Sequence, residues 1–280
     1  MNAGMFSDAR ISGLCATAGV AAGTIWMILR GASPVMPATN VLAAVIGIGG
    51  AIFLTRAMRA GERTTSAIAV VACIAIVAPL LFGPRVEGVA RWLALGPVRL
   101  QPAMIVLPLA LILHAGDPRR ISTVALALIA LSLAFQPDRS MATALAVTVL
   151  VLAVLRGGLA AWGLAAWSVA LAAIAFARPD PLVPVPFVEN VLNDAFAHGY
   201  ASGLALTLAA GIMLLTPALT RSAHPVRIAF AIIWTILLAA SVIGPFPTPV
   251  LGFGASGVLG YVLSLAGLVG RHDSASRLSR

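Results

Sequence analysis

The chain has 280 residues, of which 60% are hydrophobic and only 10% are charged, and its mean hydropathy is +1.03. Soluble domains are about half apolar and a quarter charged, so this composition excludes an ordinary soluble domain. At roughly 20 residues per membrane-spanning helix, the chain is long enough for about ten spans. We expect an all-α, polytopic helix bundle over residues 1–280 as a single transmembrane domain, ending in a short cytoplasmic tail at 271–280.

The charge pattern favours membrane topology over nucleic-acid binding. The net charge is +9, the chain contains arginine but no lysine, and the arginines stand singly between apolar runs. A nucleic-acid interface would require a basic stripe with interleaved aromatic residues. The cysteines, Cys15 and Cys73, lie inside apolar runs and form neither a metal spacing nor a disulfide framework. We therefore expect no nucleic-acid partner, no metal and no cofactor.

Ten apolar runs follow one another along the chain and predict ten membrane-spanning helices. The first, from Ile11 to Leu29, is longer than the apolar core of a signal peptide and is interpreted as a retained helix. The other runs cover approximately 39–55, 66–82, 101–115, 121–135, 141–155, 159–177, 201–219, 228–244 and 250–270.

The arginines also predict an orientation. With the N-terminus in the cytoplasm, twelve arginines fall in cytoplasmic segments and six in outer segments, which obeys the positive-inside rule. Both termini are then cytoplasmic. The outer segments carry most of the acidic residues, namely Glu87, Asp138, Asp180, Glu189 and Asp194. We therefore expect the functional chemistry on the outer face.

The segment from Gly88 to Pro102, GVARWLALGPVRLQP, is the most distinctive in the chain. Arg91 and Trp92 are residue types that favour the headgroup zone. They form either an interfacial anchor or a phosphate-binding cation beside an aromatic ring that contacts a lipid-linked headgroup. Pro102 suits the first turn of a helix. Gln101 is therefore either a helix-start residue or a polar group that faces a cavity.

Further candidate residues lie in the later outer segments. Asp138 follows Gln136-Pro137 and is placed to cap the next helix. The loop 178–200 begins with a proline-rich part, and its second part predicts a short amphipathic helix over 187–198. Glu189 lies at the beginning of that helix. It is either an acidic residue at a helix start or a partly desolvated general base with a raised pKa.

The last outer segment, 244–257, is dense in proline and glycine. Irregular backbone at membrane depth is tolerated only where it is buried in protein or lines a wet cavity. This segment therefore favours a cavity among the outer helix ends.

In this order, the segments resemble the SEDS family (shape, elongation, division and sporulation; FtsW/RodA-like proteins). GVARWLALGPVRLQP is similar to the family's G-x-x-RW-x-x-LGP-x-x-x-QPSE. Gln136-Pro137-Asp138 followed by ATAL resembles QPDLGTAL. Val183, Pro184 and Glu189 have the spacing of LPExxTDFIF, with Glu189 in place of the catalytic Asp. TPVLGFGASGVL at 248–259 resembles LPFVSYGGSSLL.

The resemblance implies a protein of cell-wall synthesis, cell shape or cell division in the bacterial inner membrane. Members polymerise a lipid-linked disaccharide, lipid II, into peptidoglycan strands on the outer face, usually with a class B penicillin-binding protein. If this chain is active, it is a peptidoglycan-type glycosyltransferase with Glu189 as the catalytic base. The implied substrate-binding residues are Arg91, Trp92, Gln101, Asp138 and Ser256, with Arg91 at the pyrophosphate.

The chain departs from the family pattern directly after Pro102. Where the family has Ser-Glu and then a Lys, this chain has Ala103, Met104 and Leu107. An acid and a cation inside the membrane form a costly pair that is retained for function. The alternative hypothesis is therefore a catalytically degenerate relative that acts as a membrane scaffold. A lipid-linked-sugar transporter is a third, less favoured hypothesis.

Overall fold

The computed structural model describes residues 3–59, 62–96 and 98–269, and this part of the chain folds into a helix bundle. The tail expected at 271–280 lies outside the described residues. The described helices are α1 Ala3–Leu29, α2 Val35–Arg59, α3 Glu62–Phe82, α4 Pro102–Gly116, α5 Arg120–Phe135, α6 Arg139–Arg156, α7 Leu159–Ala177, α8 Val191–Ala197, α9 Tyr200–Leu215, α10 His224–Ile243 and α11 Ala255–Val269.

All of these helices except the short α8 correspond to the ten apolar runs, which confirms the predicted all-α membrane fold. Seven of the described helices are long and apolar enough to cross a membrane. The helices α4, α5 and α11 are shorter, with 15, 16 and 15 residues. In α4 and α11, 12 of the 15 residues are buried. These two short helices therefore form the centre of the bundle, and the longer helices surround them.

Small residues allow the central helices to approach closely. A Cβ atom at Gly260 of α11 would overlap the backbone of Met104 in α4. Similarly, Gly47 of α2 packs against Val262 of α11. Close backbone approach at small residues is the usual means by which membrane helices associate, because lipid provides no hydrophobic driving force between them.

An aromatic cluster joins α10 to α11 in the core. The rings of Trp234 and Tyr261 have centroids 5.1 Å apart, and those of Phe230 and Tyr261 are 5.5 Å apart, both with an edge-on geometry. The polar atoms of the cluster are satisfied: Trp234 Nε1 donates to Ser264 Oγ at 3.2 Å, and the Tyr261 hydroxyl donates to Met213 O at 2.9 Å. Buried Trp and Tyr generally need such partners.

Alternating helix directions give the bundle two ends. We call the end that carries 83–101, 136–138, 178–190 and 244–254 the site end, and the other the opposite end. At the opposite end, Asp8 accepts a hydrogen bond from Arg221 N at 2.9 Å, and Ser222 Oγ donates to Leu268 O. The beginning of α1 and the end of α11 therefore lie at the same end, as an even number of spans requires.

The loop between α7 and α9 differs from the expected structure. The sequence predicts a helix over 187–198, whereas α8 contains only Val191–Ala197. Phe187 and Asn190 have positive φ angles of 65° and 59°, which a continuous right-handed helix cannot contain. Glu189 consequently lies in a turn before the helix and not in its first turn.

Candidate functional site at the site end of the bundle

The distinctive segment connects α3 to α4 through a small β-hairpin. Strand β1, Leu93–Leu95, pairs in antiparallel register with β2, Val98–Leu100. Gly96 supplies the positive φ of 60° that the turn requires. Arg91 precedes the hairpin and Gln101 follows it, so the hairpin places both side chains at the site end.

The Arg91 guanidinium is buried and bonded to two other segments. Its Nε donates to Gln136 O at 2.9 Å, and its Nη2 donates to Pro137 O and to Asp180 Oδ2, the latter at 2.7 Å. The side chains of Arg91 and Asp180 are 7% and 11% exposed. Such an ion pair keeps its charge inside the protein because hydrogen bonds accompany it. Arg91 thereby joins the hairpin to the α5–α6 turn and to the loop after α7.

Gln101, Asp138 and Ser256 lie in direct contact. Gln101 Nε2 donates to Asp138 Oδ2 at 2.6 Å, and Gln101 N donates to Ser256 Oγ at 2.8 Å. All three residues are buried. The other carboxylate oxygen of Asp138 accepts from Met141 N at 3.2 Å, so Asp138 also caps α6. The predicted capping role and the contact with Gln101 are therefore both present.

Trp92 has a different environment from its neighbour Arg91. Trp92 is half-buried, and its indole N–H has no hydrogen-bond partner within the described ranges. The two residues that the sequence presents as a pair therefore separate into a bonded, buried cation and an aromatic side chain with an unused donor.

Glu189 is half-buried, and its carboxylate forms no ion pair within the part of the chain that the structure describes. Its Oε2 accepts a hydrogen bond from Val185 N at 2.6 Å. Burial raises the pKa of Glu189, and hydrogen bonds from the Val185 and Glu189 amides oppose this increase. A carboxylate with a raised pKa and no cationic partner is suited to accept a proton from a substrate hydroxyl.

Backbone contacts hold the Glu189 turn against the segment before α11. Thr248 N donates to Val188 O at 2.8 Å, and Phe253 N donates to Phe187 O at 2.5 Å. Gly252 approaches these two carbonyl groups so closely that a Cβ atom would not fit. The position of Glu189 therefore depends on the proline- and glycine-rich segment 244–254.

The sequence reasoning did not identify two residues that organise this end. In the sequence Asp180 is one of five outer acids, yet in the structure it is the ion-pair partner of Arg91. Asn40 is fully buried, its Nδ2 donates to Gly252 O at 2.8 Å, and its Oδ1 accepts from Gly254 N at 3.1 Å. The signal for Asn40 was present, because a lone amide at the start of an apolar run needs a partner. Asp180 had no comparable signal.

Together these contacts form a closed chain, which we call the site ring. Arg91 contacts Asp180, whose loop continues to Glu189. The Glu189 turn packs on the segment that leads to Ser256, which bonds to Gln101. Gln101 bonds to Asp138, and the residue before Asp138 accepts from Arg91. The members of the site ring are Arg91, Asp180, Glu189, Thr248, Ser256, Gln101 and Asp138. Glu189 participates through the backbone of its turn, at Phe187 and Val188, so its carboxylate is not part of the ring.

Apolar residues occupy the positions where the family pattern has charges. Ala103, Met104 and Leu107 are 1%, 3% and 0% exposed and belong to the hydrophobic core. Met104 packs against Gly257 and Gly260 of α11. The α4–α11 interface directly beneath Gln101 is therefore packed with apolar groups.

No protein-family model matches the sequence, and no curated protein matches it. Among solved structures, the rod shape determining protein RodA of Thermus thermophilus has a TM-score of 0.64 at 18% identity, covering 91% of this chain and 94% of that one. A point variant of the same RodA gives 0.64 at 19% identity with the same coverage. The chain has a SEDS-like fold. A third structure, described as a peptidoglycan synthase complex that coordinates polymerization and crosslinking, has a TM-score of 0.62 at 18% identity, covering 92% and 96%.

The RodA likeness confirms the fold that the four sequence segments predict. It extends over 91% of the chain, whereas the motif matches begin at about position 40 and consist of short stretches. The chain therefore shares the fold of these structures at 18–19% sequence identity.

Proposed function

We propose that this SEDS-like protein acts in bacterial cell-wall synthesis and polymerises a lipid-linked disaccharide of the lipid II type into glycan strands. The main support for this proposal is Glu189, a half-buried carboxylate without an ion-pair partner among the described residues, in a RodA-like fold. We place the protein in the inner membrane with both termini in the cytoplasm. The site end then faces outward, where lipid-linked sugars are polymerised.

In the proposed reaction, the Glu189 carboxylate removes the proton from a sugar hydroxyl of one substrate. The resulting oxygen nucleophile attacks the anomeric carbon of a second substrate. A new glycosidic C–O bond forms, and the C–O bond to the lipid pyrophosphate breaks. The lipid pyrophosphate leaves with the electron pair of that bond. General-base assistance of this kind contributes about 10²–10⁴-fold to a rate.

Arg91 is proposed to contact the pyrophosphate from within the site ring. Its Nε and Nη2 are bonded to protein acceptors, but its Nη1 has no hydrogen-bond partner within the described ranges. An arginine held in place by some of its donors presents the others with little loss of conformational freedom. Trp92, Gln101, Asp138 and Ser256 are proposed to line the substrate cavity beside it.

We propose a class B penicillin-binding protein as the partner that crosslinks the new strands. One structural neighbour is described as a complex that coordinates polymerization and crosslinking. A polymerase of this class releases a strand that needs crosslinking, so a membrane-anchored crosslinking enzyme is the appropriate chemical partner.

The second candidate function is a non-catalytic scaffold for a cell-wall complex. This alternative is supported by the burial of the apolar Ala103, Met104 and Leu107 in the core, at positions where an active relative would be expected to carry a charged pair. In this case the site ring is a structural lock at the outer ends of the helices.

The test is polymerisation of lipid II by the purified full-length chain, alone and with a candidate penicillin-binding protein. Glu189→Gln removes the proposed base. Glu87→Gln is the matched control, because Glu87 is an exposed carboxylate at the same end. Polymer from the wild type and Glu87→Gln, but not from Glu189→Gln, supports the proposal. Equal polymer from all three contradicts the role of Glu189.

Two further outcomes separate the alternatives. No polymer from any variant, with or without the partner, favours the scaffold. Translocation of the headgroup across liposomes without chain growth favours the transporter.

A further inference from the structure

At the opposite end of the bundle, α1, α2 and α11 enclose an apolar groove. Its cavity volume is about 270 Å³. Most of its lining consists of Ala, Gly, Ile, Val and Leu residues, and the lining also includes Ser12, Arg56 and Arg59. This groove lies away from the site ring, since α2 begins at the site end and finishes at Arg56 and Arg59.

The groove opens toward the surrounding membrane. Ile48 and Ile52 both line it and are 48% and 49% exposed. The α2 helix to which they belong has only 11% of its apolar window buried inside the protein. A hydrocarbon chain can therefore reach the groove laterally from the lipid phase.

Ser12 supplies a buried donor with an unused hydrogen. It is 1% exposed and lines the groove, yet its Oγ has no hydrogen-bond partner within the described residues. Neighbouring helical hydroxyls behave differently: Thr17 donates to Gly13 O at 2.9 Å and Thr55 donates to Ala51 O at 2.7 Å. Because a buried polar group without a partner is costly, Ser12 indicates an acceptor atom inside the groove.

Arg56 supplies positive charge where the groove meets the end of α2. It is exposed, and it forms no ion pair within the part of the chain that the structure describes. Arg59 provides a second guanidinium on the same lining. Arginines at the ends of membrane helices lie at headgroup depth, where they attract anionic lipids.

We propose that this groove binds an anionic phospholipid from the adjoining leaflet. One acyl chain lies along Ile48 and Ile52, an ester carbonyl accepts from Ser12, and the phosphate contacts Arg56. The ligand is defined by three features of the lining, which are the apolar Ile48 and Ile52, the unpartnered hydroxyl of Ser12, and the arginines at the end of α2. These features match the acyl, ester and phosphate groups of one diacyl lipid.

The experiment is native mass spectrometry of the full-length protein released from micelles with equal amounts of phosphatidylglycerol and phosphatidylcholine. We expect the wild type to retain phosphatidylglycerol preferentially. Arg56→Gln should lower that preference about fivefold, as expected for one arginine at a charged membrane surface. Ser12→Ala should lower retention of both lipids, because it removes the ester contact.

Two glycine variants test the groove itself. A Cβ atom at Gly13 would meet nothing within 4 Å, and Gly13 lines the groove, so Gly13→Leu places an apolar side chain in the groove. Gly49→Leu is the matched control, because Gly49 is equally unobstructed but does not line the groove. Gly13→Leu should abolish lipid retention and Gly49→Leu should preserve it, with unchanged melting temperatures in both.

Equal retention in the two glycine variants would overturn the proposal. Equal retention of the two lipids by the wild type would overturn the assignment of an anionic headgroup. A protein dimer without bound lipid, lost only in Gly13→Leu, would show that a second copy of the chain fills the groove and would also overturn it. The assay involves no sugar substrate, so its result is independent of the polymerase proposal.

Discussion

The site end contains two regions that hold charged groups in different ways. In the Arg91 region, Arg91, Asp180, Gln101 and Asp138 are largely buried and bonded to one another or to nearby backbone. In the Glu189 region, a half-buried turn is held through backbone bonds, and its carboxylate has no cationic partner in the described structure. The side chains of the first region join distant loops, whereas the carboxylate of the second region takes no part in such contacts.

The two regions show that the distinctiveness of a sequence motif does not indicate the role of its residues. The most distinctive segment, 88–102, contains side chains that connect distant loops. The proposed base lies in the segment whose motif resemblance is weakest. A change in the Arg91 region should therefore act first on stability, whereas a change at Glu189 should act first on chemistry.

The largest effect is expected for Arg91→Ala. Removal of one partner from a buried ion pair leaves Asp180 charged and unpaired, which costs about 3–5 kcal/mol of unfolding free energy. Thermal unfolding in detergent measures this loss. Arg99→Ala is the control, because Arg99 lies on the same hairpin but is exposed. If the two variants melted at the same temperature, the buried contacts of Arg91 would not stabilise this end of the bundle.

A smaller loss is expected for Asp138→Ala. The substitution removes the α6 cap, worth about 1 kcal/mol, and leaves the buried Gln101 amide without its acceptor, worth about 1–3 kcal/mol. Asp138→Asn should recover the cap but not the charge-assisted bond. Unfolding of both variants is compared with Asp194→Ala, an exposed acid at the same end. Full recovery by Asp138→Asn would show that only the cap matters.

Asn40→Ala should lower both the stability of the protein and its polymerisation activity. The variant leaves Gly252 O and Gly254 N without their side-chain partner, which costs about 1–3 kcal/mol. Because the Glu189 turn packs on this segment, polymerisation should also fall. Thr39→Ala is the control for both measurements, because Thr39 is the half-buried neighbour of Asn40 and its hydroxyl donates within α2 to Val35 O. A loss of stability without any loss of polymer would show that segment 244–254 does not position Glu189.

The ten long apolar helices of the described structure and two helix starts could be predicted because their causes are local. Apolar runs specify the spans, Pro102 fixes the beginning of α4, and Asp138 supplies the cap of α6. The Arg91–Asp180 pair joins residues 89 positions apart and leaves no pattern in either segment. The helix predicted over 187–198 was wrong at its start. There, packing on segment 244–254 imposes positive φ angles at Phe187 and Asn190, and tertiary contacts override the local amphipathic pattern.

The smallest effect on stability is expected for Glu189→Gln. The side chain keeps its size, and no ion pair is lost, so the unfolding free energy should change by no more than about 0.5 kcal/mol. The sign of this change in unfolding free energy should depend on pH. Burial raises the pKa of Glu189 above its ordinary value of 4.5, so the folded state binds this proton more tightly than the unfolded state. The resulting stabilisation of the wild type is complete below pH 4.5 and is lost as pH rises through the raised pKa.

Polymerisation should show the opposite dependence on pH, because only the deprotonated carboxylate can accept the substrate proton. Wild-type activity should increase as pH rises through the raised pKa, while Glu189→Gln stays inactive at every pH and melts normally. Glu189→Asp has a base that is one methylene shorter. It should retain partial activity, and this activity should also increase with pH. If wild-type activity were constant across this range, proton removal by Glu189 would not limit the reaction. The Glu189 region would then be structural like the Arg91 region, and a group other than Glu189 would have to accept the substrate proton.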